Sequence, residues 1–336
     1  MNKKIVIDVL GGDNAPDELL NGVVSVAKDN PELEFVLVGD EKEIKKHVTQ
    51  AGLSSRVEIV HSTENIGCDE PPTAVRNKPN SSISLAMDAL RTREDVGAFV
   101  SAGSTGAVLA AAVLKIGRIA GVSRPGLCPI FPTSTAGVNT YALDIGANMD
   151  CRPEQLLHFA IMGSEFAKSR GVKNPRVALV NVGHEDTKGN ELTTTVFGML
   201  KKSDLNFVGN MEARDAFSGK YDVIVCDGFV GNVLLKTAEG IFSLLGKEFR
   251  RALTRTFLNK LGALLVRKNV KKIKEHYDYN KVGGSVFLGT KKPVIKAHGS
   301  SNAFAFSRAI MLAVDAARND LCANIAAAIE RNKVDA

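Results

Sequence analysis

Apolar residues fall along this chain in short, unbroken runs rather than in strict alternation. Eight stand out: "KIVIDVL" (4–10), "EFVLVGD" (34–40), "RVEIVHS" (56–62), "VGAFVSAG" (96–103), "TYALDIGA" (140–147), "RVALVNVG" (176–183), "YDVIVCDG" (221–228) and "PVIKAHG" (293–299). Continuous β-branched runs of this length read as strands covered on both faces. Between them lie stretches with helical spacing, over 17–28, 81–90, 106–116 and 153–168. Alternating strands and helices predict an α/β fold: an open, mostly parallel sheet with helices on both sides, in three α/β/α layers. Ligands of such sheets bind at the carboxyl ends of the strands. The loops that follow the runs are therefore where chemistry is expected.

Those loops share a composition. After the first run comes "GGDNAP", with Gly11, Gly12, Asp13 and Asn14. The glycines permit positive φ and close backbone approach. Asp13 or Asn14 is placed to cap the next helix, with Pro16 in its first turn. "SAGSTGA" brings Ser104, Thr105 and Gly106 to the start of an Ala/Leu/Val helix, where exposed amides favour an anion. "LDIGANMDCRPEQLL" supplies Asp144, Gly146, Asn148 and Asp150. "LVNVGHEDTKGNELT" supplies Lys188 and Asn190, and "VCDGFVGNVLLKTAEG" supplies Asp227, Asn232 and Lys236. "VIKAHGSSNAFAF" supplies Lys296, His298, Ser300 and Ser301. A single loop of this kind can equally be a plain strand–turn–helix connection. Five or six together predict a rim of amides, hydroxyls and lysines suited to phosphate.

Charge changes the picture in one place. The formal net charge is +6, but 247–274 alone carries ten basic residues against Glu248, a local +9 that leaves the remainder at −3. Within 238–278, Ile241, Leu244, Leu245, Phe249, Leu253, Phe257, Leu261, Leu264 and Leu265 recur at helical spacing, with Arg267, Lys268, Lys271 and Lys272 among the basic residues between them. Residues 254–256 fit a turn between two amphipathic helices. Such an arm can lie on an anionic membrane, receive an acidic protein, or pack on its own domain or a dimer mate with its lysines solvated.

Other classes are disfavoured. No helix-turn-helix or RNA-binding signature accompanies the basic stretch, and tryptophan is absent, so no nucleic-acid partner is expected. "MNKK" leads straight into a strand without a secretory h-region, and no run approaches the roughly 18 apolar residues of a membrane span. Cys68, Cys128, Cys151, Cys226 and Cys322 are scattered and lack CxxC spacing, which suits thiols in a reducing cytoplasm rather than disulfides or zinc. The six histidines have no metal-ligand spacing, and no Walker loop, GxGxxG or GxSxG is present. Neither a metal nor a dinucleotide cofactor is expected. Cys226, inside an apolar run, reads as core rather than nucleophile.

"IDVLGGDNAP", "SAGSTGA", "GRIAGVSRPGLCPIFPT", "LDIGANMDCRPEQLLHFAIMGS", "NPRVALVNVGHEDTKGNELT", "VCDGFVGNVLLKTAEG" and "IKAHGSSN" together resemble, in order, the blocks of the bacterial phosphate acyltransferases, the PlsX family, over residues 3 to 320. That resemblance implies a fold similar to the isocitrate/isopropylmalate dehydrogenases and phosphotransacetylases, in a single catalytic unit over 1–336. It implies transfer of a fatty acyl group from acyl carrier protein to inorganic phosphate, giving acyl phosphate for phospholipid synthesis. It further implies a cytoplasmic homodimer associated peripherally with the membrane. Ser104 stands where the family more often has Asn, and His184-Glu185 where it has Glu-Glu. Ser285 and Phe287 replace smaller or more aliphatic residues, so Phe287 is expected to affect the acyl pocket.

Phosphate is itself a nucleophile, so positioning and fixed donors suffice for this chemistry. Ser104, Thr105, Gly106 and the first loop's Gly11, Gly12, Asp13 and Asn14 are expected to form the phosphate and substrate site, with Asn148, Asn190, Asn232 and Ser300 completing it. Lys188 is the expected cation at the reacting carbonyl. His298 is expected to donate to phosphate or to the departing thiolate. Asp8 and Asp227 would repel the anion and are expected to orient donors instead.

Overall fold

The computed structural model describes residues 3–277 and 282–332. The α/β architecture is as expected, with mostly parallel mixed pairing, but the strands divide between two sheets. The first has seven, in the order β3 (Val57–His61), β2 (Phe35–Gly39), β1 (Lys4–Asp8), β4 (Val96–Ser101), β12 (Val294–Ala297), β11 (Gly284–Leu288) and β5 (Gly126–Cys128). β11 runs antiparallel to both neighbours, and the other pairings are parallel. The second sheet runs β6 (Ile130–Pro132), β7 (Asn139–Leu143), β10 (Val223–Val225), β8 (Val177–Asn181) and β9 (Phe207–Glu212), with β6 alone antiparallel.

All eight runs contain strands. β5, β6, β9 and β11 were not marked by the pattern. β5 and β6 have three residues each and are separated by Pro129, while β9 carries Gly209, Asn210 and Glu212. A run so short or so polar is recognised by its neighbour's ladder, not by its own apolarity.

Alternate residues of the first sheet feed two cores, as the two-residue period of a strand requires. Ile5, Ile7, Phe35, Leu37, Ala98 and Val100 pack toward α1 (Asp17–Asp29) and α10 (Ala303–Arg318). Val6, Val36, Val38 and Phe99 pack toward α4 (Ser82–Thr92) and α5 (Thr105–Ala111), after α3 (Ala74–Asn77). A π-helical turn, Ala112–Ile116, continues α5. Phe287 is fully buried in that second core among strand and helix side chains, which removes the expectation that it shapes an acyl pocket. The first core continues through α6 (Pro153–Ser169) into the second sheet, whose Leu143, Leu179 and Val225 belong to the same cluster. Each fully buried Leu, Ile or Phe there contributes roughly 1.5–3 kcal/mol relative to exposure. α2 (Glu41–Gln50), α7 (Glu191–Lys201) and α11 (Leu321–Arg331) complete the outer layers.

The basic arm is a helical hairpin, α8 (Gly228–Thr254) and α9 (Phe257–His276), broken at Arg255–Thr256 within the predicted turn. Thr256 caps α9 by accepting from Asn259 N at 3.1 Å. Residue 278, the expected end of the arm, lies outside the described residues. Two expectations change. The first helix starts ten residues earlier than 238, at the end of β10, and spans about 40 Å. Gly228–Thr254 is also long and apolar enough to cross a membrane by length and composition, contrary to the reading of the apolar runs. Its charges are spaced around it, so no single unbroken run announced it. Leu261, Leu264 and Leu265 are exposed at 49%, 72% and 87%. At the root, Phe242 stacks on Tyr277 at 5.8 Å and meets Phe217 edge-on at 5.9 Å. His276 Nε2 lies 2.6 Å from Thr133 O.

Candidate active site

The first sheet ends in three loops that meet. Asp8 closes β1 with its carboxylate wholly buried. One oxygen accepts from Leu10 N at 3.1 Å and the other from Ser101 Oγ at 2.7 Å. Ser101 Oγ in turn accepts from Gly103 N at 2.9 Å. Burial pushes the Asp8 carboxyl above its ordinary range, against the pull of these donors. A Cβ on Gly11 would stand 2.6 Å from both Asp8 Oδ2 and Gly103 N, so only glycine lets the first loop cross the second. Asp13 N donates to Gly299 O at 2.8 Å. Asn14 Nδ2 donates to Ser300 O and Ser301 O at 3.1 and 3.2 Å. Neither Asp13 nor Asn14 caps α1. That helix begins after Pro16 without a side-chain cap, because Asn14 is engaged with the third loop.

The strand ends also carry a buried cation. Lys296, on β12, is 9% exposed, and its ammonium donates to Ala102 O at 3.4 Å and to Ala297 O. Burial holds its pKa down at about 8 despite the opposing pull of Cys68, Asp13 and Asp8. His298 follows, with Nδ1 2.9 Å from Ser300 Oγ. Desolvation and then the Lys296 charge lower its pKa. Lys236 and Glu239 of α8 act electrostatically on the same ring, which places the arm's first turns opposite this rim. Ser104, Thr105 and Gly106 are half-buried, and the two hydroxyls make no hydrogen bond among the described residues.

The second sheet forms its own rim. Asp144, fully buried at the end of β7, accepts from Leu127 N at 2.9 Å, Ala147 N at 3.2 Å, Asn148 N at 2.7 Å and Asn148 Nδ2 at 2.9 Å. Asn148 Nδ2 also donates to Pro125 O at 2.8 Å, so this amide is committed within the protein. Asp227 caps α8 by accepting from Val230 N at 2.7 Å. Gly228 N donates to Asn148 O at 2.8 Å, and a Cβ on Gly231 would lie 2.0 Å from Asp144 O. Asn232, half-buried beside Gly146, keeps its amide uncommitted among the described residues. Cys226 is core: its thiol donates to Asp144 O at 3.6 Å, and burial raises its pKa well above the ordinary value.

Lys188 and Asn190 sit apart from both constellations, on the exposed loop after β8. Asn181 Nδ2 donates to Lys188 O at 2.9 Å, and Lys188 N donates to Glu185 O at 3.1 Å. Asn190 caps α7, accepting from Thr193 N at 2.9 Å. Asn148 and Asn190 were expected to hold substrate, but the structure spends both side chains on local architecture. Ser101, Asp144 and Lys296 carry the rims and received no individual role from the sequence. Lys296 did leave a signal, as a charge inside the apolar run "PVIKA".

Comparison with known proteins places this geometry. The family described as "Fatty acid synthesis protein" matches residues 3–324. A phosphate acyltransferase of Brevibacillus brevis is 46% identical over 98% of this chain and 98% of its own. Another, from Thermoanaerobacterium thermosaccharolyticum, is 46% identical over 97% of each. Among solved structures, a phosphotransacetylase from Streptococcus pyogenes superposes with a TM-score of 0.59 at 17% identity, covering 98% of this chain and 94% of that one. A 4-hydroxythreonine-4-phosphate dehydrogenase from Klebsiella pneumoniae gives 0.52 at 14% identity, over 93% and 99%. These two likenesses describe the fold. The near-complete match to the curated relatives and to the family describes the chain itself, which belongs to the phosphate acyltransferase family.

Proposed function

We propose that this chain transfers a fatty acyl group from the thioester of acyl carrier protein to inorganic phosphate, releasing acyl phosphate for phospholipid synthesis. One observation carries the choice of site. Three loops of the first sheet close on one another and leave half-buried, uncommitted hydroxyls beside a buried ammonium. Fixed donors of this kind suit an anion because they need no reorganisation when it binds.

In this mechanism Ser104, Thr105 and the amides of Gly106 and the Gly11–Gly12 turn hold phosphate. Ser300 and His298 stand on its far side, and Asn232 faces it from α8. A phosphate oxygen attacks the thioester carbonyl, forming a carbon–oxygen bond and a tetrahedral oxyanion. The oxyanion collapses, the carbon–sulfur bond breaks, and the thiolate takes a proton from solvent or from His298. Lys188, on a loop with a positive-φ glycine at 189, swings toward the carbonyl and offsets the developing charge. Asp8 and Asp227 orient amides rather than touch the anion.

The arm serves the two ends of this reaction. Its exposed leucines and the basic Arg267, Lys268, Lys271 and Lys272 suit an anionic membrane surface where an acyl phosphate is consumed. The same charge suits an acidic carrier protein, and the bare apolar faces of α8 and α9 suit packing in a homodimer. The deciding assay is phosphate-dependent loss of acyl from acyl carrier protein, with the product trapped as hydroxamate and acyl-coenzyme A run alongside. Turnover without phosphate, or with coenzyme A thioester alone, removes the reading.

A further inference from the structure

Lys296 is a buried cation on β12. It sits at a strand end where burying an ammonium carries a desolvation cost that an apolar side chain would not. An ammonium carries three N–H donors. Two are spent on Ala102 O and Ala297 O, and the third has no acceptor among the described residues.

The oxygen it grips is where the three loops meet. A Cβ on Gly12 would lie 3.3 Å from Ala102 O, and one on Gly299 would lie 3.9 Å from it. Ala102 directly precedes Gly103 and Ser104, and Ala297 directly precedes His298. The ammonium thus bolts the origins of the second and third loops together. The first loop crosses the same point, with Asp8 at its start. An apolar side chain would keep the packing and lose both the bolt and the charge.

We propose that Lys296 is the buried counter-charge of the phosphate site, a positioning residue that fixes the Ser104 and His298 loops through Ala102 and Ala297 while its charge offsets that of the bound phosphate. This rests on the assignment of phosphate to the first rim. The groups facing Lys296 are Asp8 on β1, Asp13 in the first loop, Cys68 in the segment before α3, and His298 in its own loop. Asp8 and Asp13 partly neutralise it, so each lost unit of positive charge matters for admitting a dianion.

The test is steady-state kinetics of the full chain against inorganic phosphate, at saturating acyl thioester, across neutral to alkaline pH. Lys296→Met is expected to raise KM for phosphate at least 30-fold, with a smaller fall in kcat. The unaltered enzyme is expected to lose kcat/KM for phosphate as pH rises through about 8, where the folded ammonium gives up its proton. Lys296→Arg, which stays charged, is expected to lack that limb. Cys68→Ser, which removes the facing thiol, is expected to keep it. A Lys296→Met KM within twofold of normal, or an unchanged limb in Lys296→Arg, overturns the proposal. If Lys296→Met does not fold, the Lys296→Arg profile decides. Ser104→Ala separates the two levels. A raised phosphate KM there beside a normal one in Lys296→Met rejects the role of Lys296 alone. Normal KM in both rejects the phosphate rim, and this proposal falls with it.

Discussion

The two sheets end in rims built around the same device, a buried aspartate at the carboxyl end of a strand, yet they spend it differently. Asp144 collects four donors, three of them backbone amides, and the amide that supplies the fourth is itself anchored to Pro125 O. Asp8 accepts from Leu10 N and Ser101 Oγ and, unlike Asp144, keeps a lysine ammonium within electrostatic reach. Around Asp144 the second rim is closed upon itself, with the Asn232 amide left over at its edge. The first holds a cation and leaves the Ser104 and Thr105 hydroxyls without a hydrogen bond among the described residues. Buried polar groups that satisfy one another make rigid structure, whereas groups left short of partners in a half-buried place are waiting for a ligand. On that criterion we propose the first rim as the anion site, with the second as a wall that carries Asn232 and the start of α8.

The sharpest way to break this contrast is Asp144→Ala. It strands four donors in the interior, and we expect a loss of about 3–5 kcal/mol, read as a lowered midpoint in urea unfolding. An unfolding midpoint near normal removes the view of the second rim as scaffold. Lys188→Ala comes next. Its ammonium makes no hydrogen bond or ion pair among the described residues, so a fall in kcat of about 100-fold with normal thermal stability is expected, in line with the loss of one stabilising donor at an oxyanion. Near-normal kcat and KM take Lys188 out of the mechanism.

Asp8→Asn is milder, and its sign is informative. Burial raises the folded-state pKa of Asp8, so the folded protein holds this proton more readily than the unfolded chain does. Ionised Asp8 therefore costs stability above its folded pKa, and the cost fades as pH falls through it. Relative to the unaltered protein, Asp8→Asn should become progressively more stable as pH is raised from acid to neutral, through the folded-state pKa of Asp8. A stability difference that stays flat over that span contradicts the burial argument. The smallest effect on catalysis belongs to the arm. Leu261→Glu should cut flotation with anionic liposomes in all salt conditions, whereas Lys271→Glu with Lys272→Glu should cut it mainly at low salt. Both should leave turnover of a soluble thioester within about twofold, since these residues are exposed on α9. Equal loss from both at high salt means charge and apolar insertion are not separable there.

Much of this was legible in order along the chain. Runs such as "KIVID" and "RVALVN" declare strands because a doubly covered strand is apolar at every position. Helices α1, α4 and α6 were located to within two residues by their apolar spacing. The glycines, hydroxyls and amides of the candidate site could be named because loops after parallel strands gather at one edge. What their side chains do could not be read. Asn148, Asn190 and Asn232 look alike in sequence, and only their neighbours separate a clamp and a helix cap from an uncommitted amide.

By itself, then, the sequence determined the class of fold, the family and the set of polar strand ends, since period, turn chemistry and composition are local properties carried by contiguous residues. Tertiary structure alone decided that the strands part into two sheets, that α8 grows directly out of a rim, and that Lys296 meets Ala102 across 194 residues of chain. Those outcomes depend on which hydrogen bonds and charges are left unsatisfied once distant segments pack, a quantity no single segment contains.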